Sequence, residues 1–137
     1  MSQARPQTIR MKAKRRFPDD ILAAIDSGKM LGIRAGTEPH RFIGIWAVVV
    51  EGRVFVRSWS LKPRSWYRTF LKEPRGTIQV LGRAEIAVRA VHTRSERLQT
   101  AVSQAYLAKY KTPGSIKYAR DLGRAKSRAT TTELVPV

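Results

Sequence analysis

The chain has 137 residues, with 27 Lys or Arg against 10 Asp or Glu, and its net charge is +17 at pH 7. This length predicts one domain, and the charge predicts affinity for anions such as nucleic acid, acidic lipid surfaces or phosphorylated small molecules. The sequence contains no cysteine, no apolar run long enough for a membrane span and no signal-peptide core, so disulfides and zinc–thiolate sites are excluded and we expect a cytoplasmic protein.

The N-terminal segment, residues 1–16, is basic and contains no acidic residue and no apolar period. We expect it to be a disordered basic arm that precedes a domain over residues 17–137. A solvated tail and a nucleic-acid-binding arm both fit this composition. The domain then begins with a helix over 18–28, where Pro18 suits the first helical position, and a short strand over 30–35 follows.

The strongest strand is predicted over residues 41–50, which read RFIGIWAVVV. Its alternate residues are apolar on both faces, so both faces should be covered. A helix, another subunit or a bound aromatic ligand would serve as the second cover, and we expect a homodimer whose interface lies on the outer face. Glu51-Gly52 predicts a tight hairpin with primed-turn geometry, followed by a return strand over 53–59.

The second half of the chain predicts further hairpins and helices. Thr93 and Glu96 have the spacing of a capping box at the start of the longest helix. The expected elements are a helix over 65–72, strands over 76–81 and 84–92 about a Gly82-Arg83 turn, a helix over 94–110, an irregular segment or frayed helix over 115–127, and a last strand over 128–137. These elements predict an α+β, mainly β fold, a six-stranded antiparallel barrel with flanking helices.

The residues that usually carry catalysis are sparse. His40 and His92 lie in different segments without an acid or cysteine at metal-ligand spacing, so no metal site is expected. No phosphate-binding glycine loop and no nucleophile elbow is present. If the protein is an enzyme, a cofactor would carry its chemistry.

Residues 53–70 combine hydrogen-bond donors with large aromatic side chains. Donors that suit a phosphate are offered by Arg57, Ser58, Lys62 and Arg64. Flat surfaces that could flank an aromatic ring are offered by Trp46, Trp59, Trp66 and Tyr67. A phosphorylated heteroaromatic cofactor and a single-stranded nucleic acid both fit this combination. In a third interpretation Trp66 and Tyr67 anchor the short helix and the cations are solvated.

Three segments of the chain carry a resemblance to a known family: GIWAVVVEGRVFVRSWSLKPRSWYRTFLKEPRGTIQV, AYLAKYK and RATTTELVPV. They resemble an uncharacterised bacterial family that is grouped with the FMN-binding split β-barrels, which include pyridoxamine phosphate oxidase. The resemblance covers residues 30–137. It implies a six-stranded split barrel, a homodimer, and FMN in the crevice between the subunits.

The resemblance also implies a set of cofactor-binding residues. The phosphate would be held by Arg57, Ser58, Lys62 and Arg64, at the end of the third strand and in the loop that follows. The flavin ring would lie along Ile45 and Trp46, and Trp66-Tyr67 matches a Trp-Tyr pair at the start of the short helix. Relatives that use a deazaflavin carry a Gly-Arg-Lys-Ser-Gly turn, whereas Arg41 is the only cation of the corresponding turn here, which argues against a deazaflavin.

Two functions are therefore expected from the sequence. The first is an FMN-binding protein or flavin-dependent oxidoreductase on a dimeric split barrel. The alternative is a basic nucleic-acid-binding module without enzymatic activity, which would use the N-terminal arm and the cations of residues 109–128.

Overall fold

The structure, a computed structural model, describes residues 16–80 and 84–137. The predictions for residues 1–15 and for the Gly82-Arg83 turn lie outside these ranges. Five helices are present in the described residues: α1 (Asp19–Ser27), α2 (Trp66–Lys72), α3 (Glu96–Lys109), α4 (Ile116–Leu122) and α5 (Ala125–Arg128). The strands are β1 (Leu31–Ala35), β2 (Ile43–Ile45), β3 (Ala47–Val50), β4 (Arg53–Val56), β5 (Arg75–Val80), β6 (Ala84–His92) and β7 (Thr132–Pro136).

The strands form one antiparallel sheet in the order β2-β1-β5-β6-β7-β4-β3. The two edge strands, β2 and β3, are separated only by Trp46, so one stretch of chain supplies both edges and the sheet curls into a nearly closed barrel. The predicted antiparallel barrel with flanking helices is confirmed. The count of six strands is wrong, because the strand predicted over 41–50 divides at Trp46 into two strands with different partners.

Side chains from α3 bond the backbone at this division. The hydroxyl of Tyr106 donates to the carbonyl oxygen of Trp46 at 2.8 Å, and Lys109 Nζ donates to the carbonyl oxygen of Ala47 at 2.7 Å. Backbone carbonyls inside a protein need hydrogen-bond partners. Here α3 provides them at the point where the chain passes from β2, which pairs with β1, to β3, which pairs with β4. The division at Trp46 is therefore built by α3.

The β3–β4 hairpin has the predicted primed turn. Glu51 and Gly52 both have positive φ angles, 55° and 72°, which match the right-handed twist of the flanking strands. The Arg16 guanidinium donates to the carbonyl oxygen of Glu51 at 3.1 Å and so ties the first described residue to this turn.

The two faces of β3 belong to two different apolar clusters. Ala47 packs inside the barrel, whereas Val48, 1% exposed, packs outside it against Val102 and Tyr106 of α3. The second cover of this strand is therefore a helix of the same chain. The apolar outer face of β3 therefore does not require a second subunit, and the homodimer stays a prediction.

Three predicted boundaries need correction. Helix α3 begins at Glu96 and is capped by the Ser95 hydroxyl, which accepts a hydrogen bond from Leu98 N at 3.2 Å. Thr93 is not the cap, because its backbone N–H extends the sheet by donating to Thr131 O at 2.9 Å. Strand β4 ends at Val56, and the segment over 115–127, for which an irregular segment and a frayed helix were both open, contains the helix α4 and most of α5.

Candidate functional site

Arg57, the first expected phosphate ligand, is buried between the barrel and the outer helices, with 3% of its surface exposed. Its guanidinium donates four hydrogen bonds to internal acceptors: Thr131 Oγ1 at 2.8 Å, Ser103 Oγ at 2.8 Å, Leu122 O at 2.9 Å and Gln99 O at 2.7 Å. A guanidinium has five N–H donors, so the fold uses four of them. Arg57 thus joins β4 to α3, α4 and the start of β7.

Burial, with a smaller contribution from the nearby Arg128, lowers the pKa of the Arg57 guanidinium to about 10. Removing a cation from water is costly unless acceptors replace the lost hydration. Two carbonyl and two hydroxyl oxygens serve that purpose here. The arrangement assigns Arg57 a structural role and leaves its charge without direct access to a ligand.

Ser58, the second expected ligand, is 4% exposed and also makes internal bonds. Its backbone N–H donates to Thr130 Oγ1 at 2.8 Å, and its hydroxyl donates to Ser60 O at 2.7 Å. These bonds shape the turn that leads from β4 into the loop over residues 57–65. The structure therefore places Arg57 and Ser58 beneath the surface, away from the other expected phosphate donors.

A cavity of about 250 Å³ lies beside α2 at one end of the barrel. We call it the α2 cavity, and it is lined by Ile33, Ala35, His40, Ile43, Arg64, Trp66 and Thr69. Two of the expected site residues, Arg64 and Trp66, meet there. The cavity thus combines a cation with an aromatic side chain and an apolar wall from β1 and β2.

Arg64 and Lys62 are exposed in the loop that precedes α2, and their side chains form no hydrogen bond or ion pair with another described residue. By contrast, Arg53 is bound by the Glu133 carboxylate through two hydrogen bonds of 2.9 and 3.1 Å. A cation that no acid neutralises is available for an external anion. Of the four expected phosphate ligands, Lys62 and Arg64 have this property.

The loop that carries Arg64 is anchored by α2. The Ser65 hydroxyl caps the helix by accepting from Arg68 N at 3.2 Å, and Trp66, 8% exposed, packs in the barrel core with its ring centroid 6.0 Å from that of Phe70. Close packing of α2 on the sheet needs Gly76, where a Cβ atom would come within 2.7 Å of the Phe70 ring. Trp66 is thus a core anchor with an edge in the α2 cavity.

His40 also lines the α2 cavity. Its two ring nitrogens lie 3.1 Å from the carbonyl oxygen of Ala35 and 3.2 Å from that of Arg41. These contacts fix the imidazole in the turn between β1 and β2. The sequence predicts an ordinary polar residue at His40, and its position immediately before the predicted strand is the only signal for this placement.

The remaining expected residues lie apart. Neighbouring side chains of a strand point to opposite faces, and Ile45 accordingly packs against the barrel interior while Trp46 packs against the outer cluster. Tyr67 is half-buried near His92, with ring centroids 6.2 Å apart. The eight expected residues are therefore not brought together. Arg57 and Ser58 lie in a buried network, Arg64 and Trp66 line the α2 cavity, and Trp46 lies outside the barrel, whereas Lys62, Tyr67 and Ile45 lie at none of these places.

Sequence reasoning missed the tyrosines of the outer helices. Tyr110 lies flat on the Trp46 indole, with ring centroids 3.9 Å apart and planes 1° apart, and the Tyr118 ring lies 6.5 Å from Trp46. Tyr106 and Tyr110 are four residues apart, so a helical pattern places them on one face. Tyr118 lacked such a signal because its segment has no clear apolar spacing and was expected to be irregular or a frayed helix.

Residues 16–80 and 84–137 contain no group of three or more His, Cys, Asp or Glu side chains placed to hold a metal ion. The described helices are also too short or too polar to cross a membrane.

The fold defines a class of α+β protein with a nearly closed antiparallel barrel. A similar architecture is seen in the crystal structure of the conserved hypothetical protein Rv2991 from Mycobacterium tuberculosis, with a TM-score of 0.55 over 92% of this chain and 83% of that chain. The two sequences are 12% identical, so the likeness concerns the fold alone.

Residues 22–134 match the family described as "Uncharacterized protein conserved in bacteria (DUF2255)". The match spans most of the chain, which therefore belongs to this family. No curated protein matches the sequence. The predicted membership of an uncharacterised bacterial family is confirmed.

Proposed function

We propose that the protein binds a phosphorylated heteroaromatic ligand at the α2 cavity, with FMN as the first candidate. The observation that carries the proposal is the meeting of an exposed, unneutralised guanidinium, Arg64, with the Trp66 edge in one cavity. The sequence resemblance to FMN-binding split β-barrels supplies the identity of the candidate. The ligand set is smaller than the sequence implies, because Arg57 and Ser58 bond to the protein itself.

The phosphate would be bound by Arg64 and Lys62. Forked guanidinium donors match phosphate oxygens, and charge-assisted hydrogen bonds are roughly twice as strong as neutral ones. Pro63 lies between the two cations and restricts the backbone of the loop, so less conformational entropy is lost when a ligand orders it. The net charge of +17 favours the approach of any phosphorylated ligand.

The cavity fits a flavin nucleotide only in part. Its volume of about 250 Å³ lies below the range of roughly 300–1,000 Å³ that is typical of pockets for drug-sized ligands. It would therefore enclose one end of FMN, with the rest lying along the loop over residues 57–65. Ile43 of β2, 42% exposed, lines the cavity and offers an apolar contact on the face where Ile45 also points.

Bound FMN would supply electron or hydride transfer. The chain itself offers few acid–base groups for catalysis. Within the α2 cavity the ligand would be bound by Arg64 through charge and by Trp66 and Ile43 through apolar contact, and Lys62 would add its charge from the neighbouring loop. The proposal concerns binding, and an oxidoreductase activity would follow from it.

The ligand-side test compares FMN with riboflavin, which carries the same ring without the phosphate. We expect the protein to bind FMN about ten- to a hundredfold more tightly, since one charge-assisted hydrogen bond contributes about 1.5–3 kcal/mol. Titration followed by flavin fluorescence measures both affinities. Equal affinities would remove the phosphate from the proposal, and no binding of FMN would refute it.

A further inference from the structure

Three aromatic side chains meet outside the barrel, and we call them the aromatic cluster: Trp46 between β2 and β3, Trp59 in the loop after β4, and Tyr118 of α4. Their ring centroids lie 5.6, 6.2 and 6.5 Å apart, and the ring planes meet at 66° to 86°. The rings therefore touch edge to face. This packing fixes their orientations without covering all of their faces.

The aromatic cluster is open to solvent. Trp59 is 45% exposed and Tyr118 is 44% exposed, and the three rings line an open hollow of about 440 Å³ together with Asp121. Trp46 forms its rigid base, because one face of the indole is already stacked on Tyr110. Two large, rigid and exposed aromatic side chains beside one hollow are typical of a binding surface.

The surroundings of the aromatic cluster are strongly cationic. Lys117 Nζ lies 5.0 Å from the centroid of the Tyr118 ring, and Arg120 is exposed on the same helix. Asp121 is the single acid between residues 109 and 128, and it is paired with Arg124 at 3.3 Å. Further exposed cations in this segment are Lys111 and Lys126. The partner of this surface is therefore expected to be an anion with an aromatic component.

We propose that the aromatic cluster binds single-stranded nucleic acid, with Trp59 and Tyr118 stacking on unpaired bases and the α4 cations contacting the phosphates. Every base has an apolar face that stacks on an aromatic ring, and cations that follow the backbone supply the electrostatic attraction. A duplex offers no free base faces to such rings, so single strands are preferred. The planes of Trp59 and Tyr118 meet at 83°, so one base cannot stack on both rings and the cluster takes separate bases.

This inference is independent of the α2 cavity. Trp46 points to the opposite face of its strand from Ile45, and neither Arg64 nor Trp66 belongs to the aromatic cluster. Failure to bind FMN would therefore leave it untouched, and failure to bind nucleic acid would leave the FMN proposal untouched.

The test uses a short labelled oligothymidine, an abasic oligonucleotide of equal length that keeps the phosphates, and the matching duplex. Fluorescence anisotropy with the full chain measures the three affinities. We expect oligothymidine to bind more tightly than either of the others. Trp59→Ala should weaken oligothymidine binding about 5- to 150-fold and bring it towards the abasic value, whereas Trp59→Phe should retain most of it.

Leu71→Ala is the matched control, because Leu71 is also a large exposed apolar residue, 55% exposed, and belongs to α2. It should bind like the wild type. Lys117→Ala should make the salt dependence weaker: the plot of log affinity against log salt concentration should become less steep by about 0.7 if one phosphate contact is lost. Melting curves confirm that each variant is folded.

Three outcomes would overturn the inference. One is equal binding of oligothymidine and the abasic strand, which would show a purely electrostatic contact. The second is an unchanged affinity of folded Trp59→Ala. The third is binding to anionic vesicles that depends on Trp59 while oligonucleotide binding does not, which would assign the aromatic cluster to a membrane surface.

Discussion

The hydroxyl of Tyr106 bonds two backbone groups at once: it accepts from Arg57 N at 3.1 Å and donates to the carbonyl oxygen of Trp46 at 2.8 Å. Tyr106 is fully buried, and burial raises the pKa of its phenol, so the hydroxyl keeps its proton and can donate. Tyr106 of α3 therefore holds the end of β4 against Trp46, the residue that separates β2 from β3.

The first prediction is that Tyr106→Phe destabilises the protein by about 1–3 kcal/mol, because two buried backbone groups lose their partner. Urea unfolding measures the change. Tyr67→Phe is the control, since the Tyr67 hydroxyl makes no hydrogen bond with another described residue, and it should change stability by less than about 0.5 kcal/mol. Equal effects of the two substitutions would contradict this role of Tyr106.

The second prediction concerns alkaline pH. The Tyr110 hydroxyl donates to Lys29 O at 2.7 Å, and burial raises the pKa of its phenol to about 12 from an ordinary value of 10. Between these values the unfolded phenol loses its proton while the folded one keeps it, so the contribution of Tyr110 is complete below pH 10 and is lost as the pH rises to about 12.

Tyr110→Phe removes both the hydrogen bond and the titration. Below pH 10 the variant should be less stable than the wild type by about 1 kcal/mol, and the difference should shrink towards pH 12. Unfolding by denaturant at a series of pH values measures the difference, and groups common to both proteins, including Lys109, largely cancel. A difference that stays constant across this range would show that the folded phenol titrates normally.

The third prediction tests the structural role of Arg57. Lysine keeps the charge but has three donors on one nitrogen, so it cannot serve the four acceptors that the planar guanidinium reaches. Arg57→Lys should lower the free energy of unfolding by at least about 2 kcal/mol. Arg68→Lys, at an exposed position, should be nearly neutral. Thermal unfolding that is unchanged in Arg57→Lys would argue for a ligand-binding role instead.

The fourth prediction compares two serines that precede helices. The Ser95 hydroxyl caps α3, whereas the Ser115 hydroxyl makes no capping bond to α4. Ser95→Ala should cost about 1 kcal/mol of stability, and Ser115→Ala should cost clearly less. Both values come from the same denaturant titration, and the reverse order would mean that the cap of α3 has been misplaced.

Local signals in the sequence were sufficient for much of the fold. The Glu51-Gly52 turn follows from a glycine that adopts positive φ readily between two apolar strands, and the helices near 18–28, 65–72 and 94–110 follow from apolar spacing and terminal residues. The division of the strand at Trp46 had no local signal, because the side chains that cause it, Tyr106 and Lys109, belong to a helix about sixty residues later.

The candidate site was less predictable for the same reason. Arg57 looks like a surface cation at the end of a strand, but its acceptors lie 42 to 74 residues away in the sequence, and only the fold brings them together. Lys62 and Arg64 lie in the predicted loop, and their side chains form no hydrogen bond or ion pair with another described residue, while phosphate binding by them stays a prediction. Composition could not show that Trp46 and Trp66 lie in different places. Alternation along a strand fixes the face on which Trp46 lies, but not the distant residues that pack against it.

The central claim is that Arg64 holds the phosphate of a ligand at the α2 cavity. The most direct measurement is FMN titration of the wild type, Arg64→Ala and Arg68→Ala, in which both variants lose one exposed arginine and only Arg64 lines the cavity. The account predicts that Arg64→Ala weakens FMN binding about ten- to a hundredfold while Arg68→Ala binds like the wild type. Equal weakening in both variants, or none in Arg64→Ala, would contradict it.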